Sequence, residues 1–233
     1  MISVKRVQAV VTKDYKDLMK NSYMLSTALM PLLFAYIFSR EGAADVSSMM
    51  VLCLTLTMVI VGSFIQAAMI AEEKEKNTLR GLLLSPLNIG EIFIGKSVLS
   101  AALTVIMVAV VIMIGGFSLP DQMGIFAAAL FISLIFFIAV GTILGLISRT
   151  VMETSVAGLP VMLILGMGSL FRSVVNVEWI TSVFEYIPDY QLTEIAEHLS
   201  TGESVTQNFI ILSVWAVASV IVAVVIFKKR RFD

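Results

Sequence analysis

One octapeptide has the spacing of a phosphate-binding loop. Gly90-Glu91-Ile92-Phe93-Ile94-Gly95-Lys96-Ser97 satisfies G-x-x-x-x-G-K-[ST], a pattern in which backbone amides wrap phosphates and the lysine reaches them. That chemistry needs a loop that follows a buried strand. Here the pattern sits at a helix start and runs straight into an apolar stretch. Glu91, Ile92 and Phe93 put an acid and bulk where the amides should wrap. The match reads as coincidence, with Lys96 as an anchor at a membrane interface. The single cysteine, Cys53, cannot form an internal disulfide or a thiolate metal site, and the single histidine, His198, excludes a histidine cluster or triad. His198 reads as a surface residue. No catalytic residue and no metal site is expected. The acids gather in two places instead: Glu72, Glu73 and Glu75 among the lysines of one short run, and Glu178, Glu185, Asp189, Glu194, Glu197 and Glu203 in a later connection.

The elements that position these groups are membrane spans. Of 233 residues, 58% are apolar and 14% charged, against roughly a quarter charged in a soluble domain; mean hydropathy is +0.97. Too few polar side chains are present to cover a globule, and disorder needs the opposite composition. Six stretches, 21–39, 46–71, 97–120, 122–148, 154–171 and 204–227, contain no Asp, Glu, Lys or Arg. Each is long enough to cross ~30 Å of hydrocarbon at ~1.5 Å per residue. The expected fold is therefore an all-α membrane protein, a single domain over 1–233 with six transmembrane helices. The fifth span holds Gly158, Pro160, Gly166 and Gly168 and is expected to be broken or tilted, closed by Arg172 at the far interface. Of the 16 basic residues, 14 fall in 1–20, in 72–96, between the fourth and fifth spans, and in the tail; only Arg40 and Arg172 lie opposite. The positive-inside rule makes the basic side cytoplasmic, both termini included. No cleavable signal peptide is expected, because the first apolar run follows a long charged segment.

Three segments outside the spans have pattern of their own. Residues 2–20 place Val4, Val7, Val11 and Leu18 at helical spacing with lysines between, which predicts a helix lying in the membrane surface. The 72–96 connection begins with charge and continues into a short apolar helix stopped by Pro86. Asn88 and Glu91 then have the spacing of a capping box that opens the next helix. The 172–203 connection is long and acidic. Pro188 opens a short amphipathic helix with Leu192, Ile195, Ala196 and Leu199 at i, i+3, i+4 and i+7, ended by Gly202. Trp179 and Tyr186 suit the headgroup region.

Inside the spans the polar groups are Gln66, Thr55, Thr57, Thr104, Ser133 and Thr142, with no carboxylate or base in any span core. Proton- and cation-coupled carriers place ionisable groups there, and an intramembrane enzyme needs catalytic acids and bases. A path without fixed charge suits a hydrophobic or amphipathic cargo. Gly141 and Gly145 form a G-x-x-x-G that permits close helix approach.

The order of segments over the whole chain resembles the ABC-2 type permeases, the membrane subunits of type V ABC exporters. The most specific part is Glu72-Glu73-Lys74-Glu75-Lys76-Asn77-Thr78-Leu79-Arg80-Gly81-Leu82-Leu83-Leu84-Ser85-Pro86. It is similar to the E-x-x-x-x-T-L…L-L-x-S-P segment of the sodium, drug and peptide exporter permeases. Ile187-Pro188 with Leu192-Thr193-Glu194-Ile195 is similar to the family's proline-led outer segment. The large extracellular domain of some sodium-exporter-like members is missing.

The resemblance implies an elbow helix at 2–20 and a coupling segment within 72–96 seated on a nucleotide-binding subunit. Its coupling residues would be Glu72, Glu73, Glu75, Thr78, Leu79, Leu82 and Leu83, the acids meeting basic groups and the leucines filling an apolar groove. The blander alternative has the acids neutralising nearby lysines and the leucines lying on the bilayer. Outer re-entrant or amphipathic helices would shape an exit gate through Arg172, Pro188, Leu192, Ile195 and Leu199. Two ATPase copies, a second copy of this chain or a paralogous permease, and the lipid bilayer are the implied partners. No nucleic acid is among them. The chain itself would hold no cofactor, with ATP and Mg in the partner subunit. The reading is an exporter subunit for a hydrophobic or amphipathic peptide, toxin or drug in the inner membrane of a bacterium or archaeon. A Na⁺ exporter of the same architecture, or a non-transporting six-span immunity or scaffold protein, are the rivals.

Overall fold

The computed structural model describes residues 3–40, 46–78, 81, 85, 87–116, 120, 122–175 and 177–230, and every regular element among them is helical. The chain opens with α1 (Val4–Lys20), α2 (Ser22–Ala28) and α3 (Met30–Arg40). The last two form one apolar run, Ser22–Arg40, interrupted by a turn at Leu29. The interruption falls just before Pro31, which has no N–H to return to the preceding turn. The chain restarts with Pro31 as the second residue of α3.

Next come α4 (Val46–Thr57), a π-helix (Met58–Ile65) and α5 (Gln66–Glu75), which continue one another. They are followed by α6 (Ile89–Gly115) and α7 (Met123–Ile147). The broken fifth element consists of α8 (Val151–Gly166) and α9 (Gly168–Val174), with Met167 between them. Pro160 lies inside α8 without ending it; the interruption falls between Gly166 and Gly168. Then α10 (Glu178–Phe184) and α11 (Pro188–Thr201) lead to α12 (Thr206–Arg230). Among the described residues, five helical runs are long and apolar enough to cross a membrane, and α8 is a shorter sixth. Its 16 residues reach about 24 Å at ~1.5 Å per residue, short of the ~30 Å hydrocarbon core unless α9 adds to it.

The second run, Ser48–Glu75, and α7 form the centre, with 78% and 61% of their apolar windows buried, against 22% for the first run, α6 and α12. The peripheral helices expose Val105, Ile106, Ile210, Val214 and Val217, as a hydrocarbon-facing surface requires. Centre meets centre through the glycine pair. A Cβ on Gly141 would lie 2.3 Å from the Ser63 carbonyl oxygen, and one on Gly145 2.6 Å from that of Ala67. The G-x-x-x-G therefore joins α7 to the π-helix and α5 within one chain. Ser63 Oγ donates to the Phe137 carbonyl at the same seam. This side-chain bond and the missing Cβ account for the π-helix, which the sequence pattern does not announce: a tight backbone approach at Ser63 is accommodated by wider i→i+5 turns.

Ile70, Ile92, Leu146 and Phe227 pack together, so the ends of α5, α7 and α12 and the start of α6 share one end of the bundle. Lys74 donates to the Leu146 and Ser148 carbonyls there. The described lysines and arginines of α1, of 74–96 and of the α12 terminus thus collect at this basic end. Met50, Leu54, Phe126, Leu192, Ile195 and Leu212 form the core of the opposite end.

Candidate functional site

At the basic end, α1 crosses the start of α6. The residues that face the bundle are Val10, Asp14 and Leu18, all buried, whereas Val4 is 79% exposed. Of the row expected to lie on the membrane, Leu18 packs on the bundle, Val7 and Val11 are half-buried and Val4 is open; the face that meets the protein is a neighbouring one that carries an acid. The octapeptide finds its explanation here. A Cβ on Gly95 would lie 2.8 Å from Val10 Cβ, so glycine is needed for the two helices to touch. Glu91 is fully buried and accepts from the backbone N–H of Asn88 (2.8 Å) and of Ser3 (2.7 Å), completing the expected capping box and tying down the start of α1. Lys96 is 3% exposed. It ion-pairs with Glu73 and, at 3.4 Å, with Asp14, and so is a structural cation inside the protein, not the interfacial anchor expected.

Lys13 joins this cluster from its edge, pairing with Glu73, with Asp14 at 3.3 Å and with the exposed Asp17 at 3.4 Å. Burial raises the pKa of Asp14; Lys96 counters this, and the Glu73 charge adds to it. For Lys13, burial works downward but the bond to Glu73 prevails and the pKa is raised. Asp14, Glu73 and Lys96 are thus enclosed where α1, α5 and α6 meet, and Lys13 and Asp17 close the cluster at its solvent-open edge. Among the expected coupling residues, Glu73 is in this cluster. Glu72 accepts from Asn21 Nδ2 at 3.0 Å and pairs with Lys76. Glu75 accepts from the Val151 N–H at 3.2 Å, and the Thr78 hydroxyl donates to the Glu73 carbonyl at 3.3 Å. Leu79, Leu82 and Leu83, with Arg80 and Pro86, lie outside the described residues. Lys13, Asp14 and Lys96 were missed as site residues. The available signal was Asp14 at i+4 from Val10 and i−4 from Leu18, a charge in an apolar row.

Between α2, the π-helix region and α8 lies an apolar groove of about 260 Å³. Tyr23, Thr27, Leu56, Phe64, Leu159 and Leu163 are among its walls. The breaks at Leu29 and Met167 and the π-helix all belong to the segments that flank it. Within the bundle, Gln66 of α5 bridges α6 and α7: Ser100 Oγ donates to Gln66 Oε1 at 2.6 Å, and Gln66 Nε2 donates to Thr142 Oγ1 at 3.1 Å. These groups are buried and satisfied by one another.

At the far end the amphipathic helix forms as expected, but its apolar face enters the core. Leu192, Ile195 and Leu199 are buried among Met50, Leu54 and Leu212, and Pro188 is its first residue. Ser169 donates from N–H (2.9 Å) and Oγ (2.7 Å) to the buried Asp189, fastening α9 to α11. Asn208 Nδ2 donates to Gln191 Oε1 at 3.0 Å, fastening α11 to α12. Arg172 pairs with Glu185 at 2.9 Å and stacks 4.7 Å over the Tyr190 ring. His198 lies at the partly exposed end of α11, its Nε2 3.2 Å from Glu194 and 3.3 Å from Glu203.

A ring of apolar helices around a buried rod, charge confined to the ends and an apolar groove at the helix breaks define a polytopic membrane protein. The model for the ABC-2 family transporter proteins matches residues 7–225, and the chain belongs to that family. Such chains are membrane permease components of ABC transporters, generally without an ATPase site of their own and generally working with an ABC ATPase subunit. No curated protein matches the chain.

Proposed function

We propose that the chain is the membrane half of an ATP-driven exporter of a hydrophobic or amphipathic substrate, paired with a second copy and served by two separate ATPase subunits at the basic end. Six crossings are proposed, with α8 and α9 together supplying the fifth, and the basic end is proposed to be cytosolic in an inner membrane. The observation that carries the cargo class is the groove, whose lining is mostly hydrocarbon with Tyr23, Thr27 and Ser155 among it. A groove lined this way fits an apolar body with a few polar groups. Its position against the π-helix and the Met167 break suits a surface that changes shape. Coupling is proposed to run through 72–86. Glu72 and Glu75 present charge near the partner, while Glu73 acts through Lys13 and Lys96 to keep α1, α5 and α6 moving as one body. A ligand shifts a two-state element only through differential contacts, and a rigid three-helix anchor transmits such contacts into the spans. Arg172, Pro188 and the buried face of α11 are proposed as the outer gate, opening by movement of the whole helix.

Affinity purification of the full chain from its own membranes, followed by ATPase assay in lipid, tests this. An ATPase subunit should co-purify, and amphipathic peptides or drugs should stimulate its turnover. Stimulation by Na⁺ and not by amphipaths would replace this reading with ion export. Recovery without any ATPase would favour the scaffold reading.

A further inference from the structure

We propose that Lys5, Gln8, Thr12 and Lys16 on α1 form a binding stripe for the phosphates of anionic phospholipids. Two faces of α1 are distinct. Val10, Asp14 and Leu18 face the bundle. Val4, Tyr15 and Met19, 79%, 52% and 52% exposed, form an apolar sector that nothing among the described residues covers. Gln8 lies within this sector, one turn on from Val4, and Thr12, Lys5 and Lys16 lie along its edge. Lys5, Gln8, Thr12 and Lys16 follow one another at i, i+3, i+7 and i+11, a continuous row along a helix, and all four are exposed. The row thus runs along the edge of the apolar sector, so when Val4, Tyr15 and Met19 enter hydrocarbon it lies at headgroup depth.

The charge on this row is free to act on a ligand. Lys13 is held by Glu73, Asp14 and Asp17, and Arg6 lies 3.6 Å from Glu91. Among the described residues, Lys5 and Lys16 have no acid partner. They stand about 16 Å apart along the axis at ~1.5 Å per residue, which lets each engage a separate phosphate, with the carboxamide of Gln8 and the hydroxyl of Thr12 between them. An acidic protein surface would also satisfy the ammoniums, but it would leave the adjoining apolar sector in water. A lipid covers both with one molecule, and this favours the bilayer as the occupant.

The inference rests on α1 lying in a membrane interface and not on export, so its test reads lipid preference alone. Native mass spectrometry of the purified full chain, titrated with phosphatidylglycerol or phosphatidylcholine of equal chain length, should show preferential retention of the anionic lipid. Lys5→Gln and Lys16→Gln should each lower that affinity about 5-fold, and the pair about 25-fold, from ~1 kcal/mol per basic residue at a charged surface. Lys5→Arg with Lys16→Arg should retain it, which separates charge recognition from a folding defect. Full phosphatidylglycerol preference in the double Gln variant overturns the proposal. So does loss of preference in the Arg variant, displacement of the lipid by inorganic phosphate at equal concentration, or weakened ATPase association in the Gln variant with the lipid preference intact. A chain that prefers phosphatidylglycerol yet fails to export keeps this inference and removes the functional one.

Discussion

Lys96 is the residue whose surroundings change its meaning most. As part of a phosphate-loop pattern it would touch nucleotide; in the folded chain it lies between Glu73 and Asp14. Lys96→Ala should therefore leave nucleotide binding by the isolated chain at background. It should lower stability by about 3–5 kcal/mol, the usual cost of breaking a buried pair from one side. Nucleotide binding by isothermal calorimetry and thermal unfolding in detergent check the two halves. Asp14 adds a pH dependence with a definite sign. Its folded pKa is raised, burial being the main cause, so between the unfolded and folded values the folded state holds a proton that the unfolded state has already released. The stability this contributes is complete below the ordinary carboxylate pKa near ~3.9, and it is lost as pH rises through the raised value. Unfolding temperatures measured upward from about pH 4 should decline more steeply in the wild type than in Asp14→Asn, which cannot titrate. Equal slopes would show that the cluster titrates elsewhere.

At the scale of elements, the seam between α7 and the π-helix is the tightest contact in the centre. Gly141→Val should cost about 1–3 kcal/mol, because a side chain there meets the Ser63 backbone, which cannot rotate away as a side-chain tip could. Gly124, in the first turn of α7, meets nothing within 4 Å. Gly124→Ala should be stabilising by up to about 1 kcal/mol through reduced unfolded-state entropy. Chemical unfolding of the two variants in the same detergent compares them, and a neutral Gly141→Val would remove the close approach as the cause of the π-helix. The breaks at Leu29 and Met167 have a different origin. One follows from proline's missing donor and the other lies between two glycines, so both were written locally even where 21–39 reads as one run.

For the whole molecule, the collection of basic segments at one end is the property that decides orientation. Asn77 should be protected from an impermeant thiol reagent in intact cells, and Gly202 should be labelled, when each is replaced by cysteine in a chain carrying Cys53→Ala. Labelling at position 77 alone would invert the proposed topology. The prediction depends on bundle geometry as well as charge. Phe227, Leu146 and Ile92 pack together, so the connections around them face the same compartment.

Composition and charge spacing were enough to identify a helical membrane protein, its long apolar runs, the capping box at Asn88 and Glu91, and the helix from Pro188 to Gly202. Each of these depends on residues within a few turns of one another, where hydropathy, caps and proline act directly. The tertiary structure alone decided which polar residues matter. Asp14, Glu73 and Lys96 are 59 and 23 positions apart in turn and gain their roles only when three helices meet. The same holds for Gly95 against Val10, Gly141 against Ser63, and Leu192 and Ile195, whose amphipathic pattern is identical whether the apolar face lies on lipid or enters the core. Periodicity reports that a face must be covered; what covers it is set by contacts between segments distant in the chain.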